Sequence, residues 1–388
     1  MDWDRRRKWV RGVAISSAPL GLLLVAGLVT WRMLTAHFVR RYHRETCDPI
    51  ELSGAGIGDY PASYHLTDVP WIATEEWTCS ANSLAMVAAQ NGMDVSTAHC
   101  NFRMGFTYGA SAVPGSNAVQ FFGEPEAGLR AAAPYLGLER RYYVTDDETL
   151  YVDALRYYVS QGYAVRLGLD VAVLYDVGEA LPHSDLVVGY DAARFAIYET
   201  VCLPDFPCEP RYLPPGAEGL WVAEEKVLAA VLSQARLFSY PWRYSLTIFD
   251  AAPVASDLGP IWTRNGNLLI GGADYGPAQG ADAIEGLADS IDRRGPRIDV
   301  SKLLPPLGAA VWNRADNAAY VSEAFEGQPD IERAAALFER AADDYRAVLT
   351  ALDDGIADQA EAGYVAQHLR SAAGAEREIG AIFMARGR

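Results

Sequence analysis

The apolar positions of this chain recur on several periods, and each period predicts a different element. Residues 12–31 read GVAISSAPLGLLLVAGLVTW, twenty positions without a charge. As a helix rising ~1.5 Å per residue they would span ~30 Å, the apolar thickness of a bilayer. Trp9 and Trp31 lie near the ends; Arg5, Arg6, Arg7, Lys8 and Arg11 precede the run, and Arg32, Arg40, Arg41 and Arg44 follow it. This predicts a single-pass anchor at 12–31 within a basic segment 1–44. Nothing like A-x-A follows Trp31, which argues against a cleaved signal peptide. Basic flanks on both sides leave the positive-inside rule without a preference.

Residues 45–70 read as a stalk, because Asp48-Pro49, Gly54, Gly56 and Gly58 break any period. From 71 to 249 the pattern is dense and mixed. Residues 80–91 predict a short helix closed by Gly92, and 150–160 a second helix ending near Gly162. Residues 163–169 (YAVRLGL) predict a strand, 185–191 and 194–199 a hairpin turning at Ala192-Ala193, and 246–249 a further strand. Helix first and sheet later makes an α+β fold. Residues 250–328 read as a Gly/Pro-rich connection, with turn signals at Asn265-Gly266-Asn267, Gly271-Gly272 and Gly276-Pro277. From 329 to 388 the chain reads as helical: Ile331, Ala334, Ala335, Phe338, Ala341, Ala342 and Tyr345 recur at three and four, and a second helix covers 360–384.

Composition narrows the function classes. Of 388 residues, 50% are hydrophobic and 21% charged, which is globular and excludes wholesale disorder. The net charge of −17 is uneven: residues 1–44 hold nine basic against two acidic side chains, and the rest 24 against 48. So acidic a body repels a phosphate backbone, which argues against nucleic-acid binding.

Three residues carry candidate chemistry. Cys79 immediately precedes the first helix, where unpaired N–H groups and the dipole favour a thiolate, the nucleophilic form. Its other reading is a buried, inert thiol. His183 opens the strand of the hairpin and is placed to serve as general base across a cleft; a lone strand-edge histidine is otherwise structural. Glu199, sixteen residues later and late in the returning strand, is placed to orient the imidazole. Its other reading is a surface carboxylate.

The order of these residues resembles papain-like bacterial thiol enzymes. It is similar to the bacteriocin double-glycine leader peptidases, and within their relatives to the butirosin biosynthesis protein H-like N-terminal domain. The resemblance rests on Cys79-Ser-Ala-Asn-Ser-Leu-Ala-Met-Val, on His183-Ser-Asp-Leu-Val-Val-Gly189-Tyr190-Asp191 through Glu199, and on Met104-Gly105-Phe106-Thr107-Tyr108-Gly109. It covers roughly residues 71–249. It implies a papain-like fold, with a helical lobe carrying Cys79 and an antiparallel sheet carrying His183 and the acid. It also implies acyl transfer through a thioester, as peptide or amide hydrolysis or transfer from an acyl carrier to an amine. Two departures stand out. The acid is Glu where the family has Asp. The stretch Ile72-Ala73-Thr74-Glu75-Glu76-Trp77-Thr78 lacks the family's oxyanion-hole Gln, leaving the Cys79 N–H and the Thr78 hydroxyl as oxyanion donors. A rival reading is therefore an inactive relative acting as a binding module or membrane-complex subunit.

Cys202 and Cys208 enclose Leu-Pro-Asp-Phe-Pro and suit a small disulfide loop, which would place the body outside the cytoplasm; two reduced thiols is the alternative. Cys47 and Cys100 are unassigned and free to bridge to each other. The cysteines lack C-x₂-C spacing, so neither a metal nor a cofactor is expected. The expected setting is the bacterial inner membrane. The expected partners are the bilayer through 12–31, a peptide or acyl-carrier substrate, and a protein contact through the C-terminal helices.

Overall fold

The computed structural model describes residues 37, 39–72, 78–112, 118–178, 180–198, 219–271 and 278–388. The 12–31 segment, Glu199, Cys202 and Cys208 lie outside the described residues. No helix among the described residues is long and apolar enough to cross a membrane.

The chain begins with a helix at 39–47 (α1), strands β1 (Ile50–Glu51) and β2 (Tyr64–His65), and helices α2 (Cys79–Gln90) and α3 (Thr97–Met104). A small pair β3 (Ser111–Ala112) and β4 (Val119–Gln120) and helix α4 (Pro125–Ala132) lead into the sheet region. That region runs β5 (Leu138–Thr145), α5 (Glu148–Ser160), β6 (Val165–Asp170), α6 (Val171–Tyr175), β7 (Pro182–Tyr190), β8 (Arg194–Tyr198), β9 (Leu220–Ala223), α7 (Glu224–Leu237) and β10 (Tyr244–Ala251). Five helices follow: α8 (Gly259–Ile270), α9 (Gly280–Arg294), α10 (Leu304–Ala324), α11 (Pro329–Leu352) and α12 (Gln359–Arg386).

The main sheet has the order β1-β5-β10-β6-β7-β8-β9, with β2 paired to the far end of β7. Every pairing in it is antiparallel except β1 with β5. The predicted hairpin forms as β7 and β8, and its turn is held by Asp191 Oδ1, which accepts from the backbone N–H groups of Ala193 and Arg194. Gly189 marks a bulge where β2 crosses: a Cβ there would meet the His65 ring at 2.5 Å.

Two cores form. One lies around the sheet, α2 and α5, and includes Leu84, Leu155, Leu167 and Val187. The other lies among α8–α12, and it recruits Phe102, Tyr108 and Phe121 from well before the sheet. The C-terminal helices thus share a core with α3 and the turn after it. The expected connection at 250–328 contains α8, α9 and α10, so its turn signals misled. Asn265-Gly266-Asn267 sits inside α8, because Asn265 donates to the Phe102 carbonyl at 2.8 Å and Gly266 lets α8 approach α12. Tertiary contact outweighs the local turn preference there.

Candidate active site

Helix α2 starts where two small polar side chains find partners. Asn82 donates its Nδ2 to the Ile72 carbonyl at 2.8 Å and accepts from Thr97 at 3.1 Å. The Ser83 hydroxyl donates to the Ser184 carbonyl at 2.9 Å, and the two serine hydroxyls lie 3.1 Å apart. These bonds fix the N-terminal turn of α2 against β7. Cys79 is the first residue of α2 and is half-buried; Thr78 is at the N-cap, and its side chain makes no capping bond.

His183 is the second residue of β7 and only 7% exposed. Two positions on, and therefore on the same face of the strand, stands Asp185, fully buried, with Oδ1 3.3 Å from His183 Nε2. Glu199, the acid expected from the sequence, lies outside the described residues; Asp185 was not expected, although period two in an apolar strand was the available signal. In register, His183 faces Leu169 and Asp185 faces Leu167. Ser184 turns to the opposite face, where Arg166 Nε donates to its hydroxyl at 2.7 Å.

Arg166 is the second residue missed. Its signal was one arginine inside the apolar run YAVRLGL. It is buried, and its Nη1 donates to Glu126 Oε1. Its Nη2 lies 3.5 Å from the Ser80 hydroxyl, at the limit of hydrogen bonding. Glu126 Oε2 in turn accepts from Arg140 at 2.7 Å, and Arg140 donates twice, at 3.0 Å, to the Cys47 carbonyl at the end of α1. Burial alone would raise the Glu126 carboxyl, but Arg166 and Arg140 outweigh it and hold it below its ordinary range.

Burial pushes the Cys79 thiol up to about 11; Arg166 pulls it back and Asp185 pushes it further. The His183 imidazole falls to about 3, first by burial and then by Arg166. Arg166 thus lowers both groups, and Asp185 raises the thiol. At neutral pH both thiol and imidazole are uncharged.

Cys47 and Cys100 are free and buried, so the bridge between them is not made, and burial pushes both thiols far up. Among the described residues no three His, Cys, Asp or Glu side chains are grouped to hold a metal ion. A cavity of about 880 Å³ lies elsewhere, between the start of α8 and the end of α12. It is lined by Trp262, Arg264 and Arg386 and holds none of the candidate groups.

No family model and no curated protein matches the chain. A solved structure described as a C39-like peptidase from Bacillus anthracis aligns over 50% of this chain and all of its own, at 13% identity and a TM-score of 0.33. A likeness at that level does not bear on the narrower butirosin-type branch.

Proposed function

We propose that this chain is a papain-like thiol enzyme working by acyl transfer through a thioester on Cys79. The observation that carries the reading is electrostatic. Cys79 opens helix α2, the Arg166 guanidinium lies 3.5 Å from the hydroxyl of the next residue, Ser80, and the Asp185 carboxylate is 3.3 Å from His183 Nε2. With Nε2 turned to the Asp185 carboxylate at 3.3 Å, Nδ1 of His183 is the nitrogen assigned to take the thiol proton. Sulfur then attacks the carbonyl carbon, and its proton passes through His183 to the departing amine or thiol. Water or an amine next attacks the thioester and regenerates the thiol. The Cys79 N–H and the Thr78 hydroxyl are the oxyanion donors. Glu199, which the sequence pattern names as the acid orienting His183, is the alternative to Asp185 for that role. The substrate is a peptide, an amide or a carrier-bound acyl group, reached from a membrane by the 12–31 segment, with the C-terminal helices as the surface for a protein partner.

An acylating, thiol-directed probe tests this. It should label wild type at Cys79, lose the label in Cys79→Ala, and react at least ~100-fold more slowly with Asp185→Asn, which disturbs the imidazole tautomer. Equal labelling of wild type and Cys79→Ala would refute the catalytic assignment.

A second reading is a catalytically silent relative. One observation favours it: His183 is almost wholly buried, on the strand face opposite Ser184, the residue that meets α2. A folded protein whose Cys79 stays inert toward the probe at every pH up to 10 would choose it.

A further inference from the structure

We propose that Arg166 is the positioning residue of this site. Its guanidinium joins the chain beside Cys79 to the chain beside His183 and holds a fixed positive charge against the helix turn that carries the thiol. The proposal rests on the thiol-enzyme reading and adds to it the group that governs the nucleophile.

The geometry is a tie across the seam. Ser80 follows Cys79, Ser184 follows His183, and Arg166 reaches both hydroxyls, at 3.5 and 2.7 Å, from the neighbouring strand β6. Ser83 closes the same seam on Ser184. Charge bookkeeping gives the tie a second role. Glu126 is shared between Arg166 and Arg140, so one carboxylate answers two guanidinium groups. A guanidinium that shares its carboxylate keeps capacity to stabilise negative charge developing on sulfur or on the oxyanion beside it.

Among the described residues, Arg166 on β6, Asp185 on β7 and Ser80 on α2 act on the thiol, and Glu126 on α4 pairs with Arg166. Arg166 and the Ser80 hydrogen bonds favour the thiolate and Asp185 opposes it. Removing Arg166 therefore takes away the largest influence that favours the thiolate.

The test is iodoacetamide alkylation of the full chain between pH 6 and 11, followed by mass spectrometry on the Cys79 peptide. Arg166→Met should slow Cys79 alkylation at pH 8 about tenfold and move its midpoint up by about one unit, since below the midpoint each unit is a tenfold change in thiolate. Arg166→Lys keeps the charge and should restore the midpoint, yet react more slowly than wild type with the acylating probe, because an ammonium cannot fork between Ser80 and Ser184. Where Arg166→Met fails to fold, the triple variant Arg166→Met/Arg140→Met/Glu126→Leu removes all three buried partners and carries the same expectation. A folded variant without the guanidinium but with the wild-type midpoint overturns the proposal. Equal probe labelling of wild type and Cys79→Ala would instead sink the enzyme reading and leave the alkylation profile to judge Arg166.

Discussion

At the scale of single residues, burial sets the protonation states and so the pH behaviour. His183 falls to about 3, and His43 and His99 to about 4, each chiefly because burial disfavours the charged ring. An unfolded histidine titrates near 6.5. As pH falls below that value the unfolded chain takes up protons that the folded chain refuses. Stability is therefore complete above about 6.5 and drains away toward pH 4, by at most ~1.4 kcal/mol per unit from His183. Glu124, raised, offsets part of this by accepting its proton first in the folded state. Thermal unfolding followed by circular dichroism should show Tm falling from pH 7 to 4, and His183→Asn should flatten the slope; a level Tm in wild type would contradict the buried neutral imidazoles. At the alkaline end the sign reverses, because an unfolded thiol ionises near 9 and Cys79 only at about 11. Residue identity made Cys79 and His183 legible as candidates. Asp185 and Arg166 were overlooked because each looked like one more charge in a mixed run, and their meaning lies in what they touch.

At the scale of elements, local pattern was a good guide where side chains bury on one face. Helices α2, α5, α11 and α12 and the β7–β8 hairpin fall where the periods put them. It misled where a helix is defined by contact. Gly266 in α8 is the clearest case: a Cβ there would meet the Gly380 carbonyl of α12 at 2.8 Å. Alanine is otherwise the better helix former by ~1 kcal/mol, so the two effects oppose each other. The close crossing should win, and Gly266→Ala should lower stability by ~1–3 kcal/mol, read from the urea midpoint. An unchanged or raised midpoint would show that the helices part without penalty. Strand β5, with the sequence LERRYYVT, escaped notice because its charges obscure alternation. One of them, Arg140, is the second arm of the Glu126 clamp.

At the scale of the whole molecule, a second buried ion pair locks the helical part to the rest. Arg314 on α10 donates from Nε to Glu376 Oε1 on α12 at 2.8 Å, both side chains at 0% exposure, and also reaches the Thr107 carbonyl in the turn after α3. Tyr345 on α11 donates to the same carboxylate at 2.6 Å. Breaking one half should be costly: Arg314→Met should lose ~3–5 kcal/mol, and Arg314→Met/Glu376→Leu should recover much of it, by denaturant unfolding. A single variant as stable as wild type would show that the pair is not closed in solution. Hydrophobic period, capping residues and net charge are properties of near neighbours along the chain. The sequence alone therefore determined the α+β class, the C-terminal helices, the acidic body and the candidates Cys79 and His183. Which carboxylate faces His183, which cation stands beside Cys79, and how the last helices share a core with α3 depend on pairs far apart in the chain. Glu126 and Arg166 are 40 positions apart, and Thr107 and Arg314 are 207. Only tertiary packing decided those pairings, because their energies come from burial and distance, and neither exists until the chain has closed on itself.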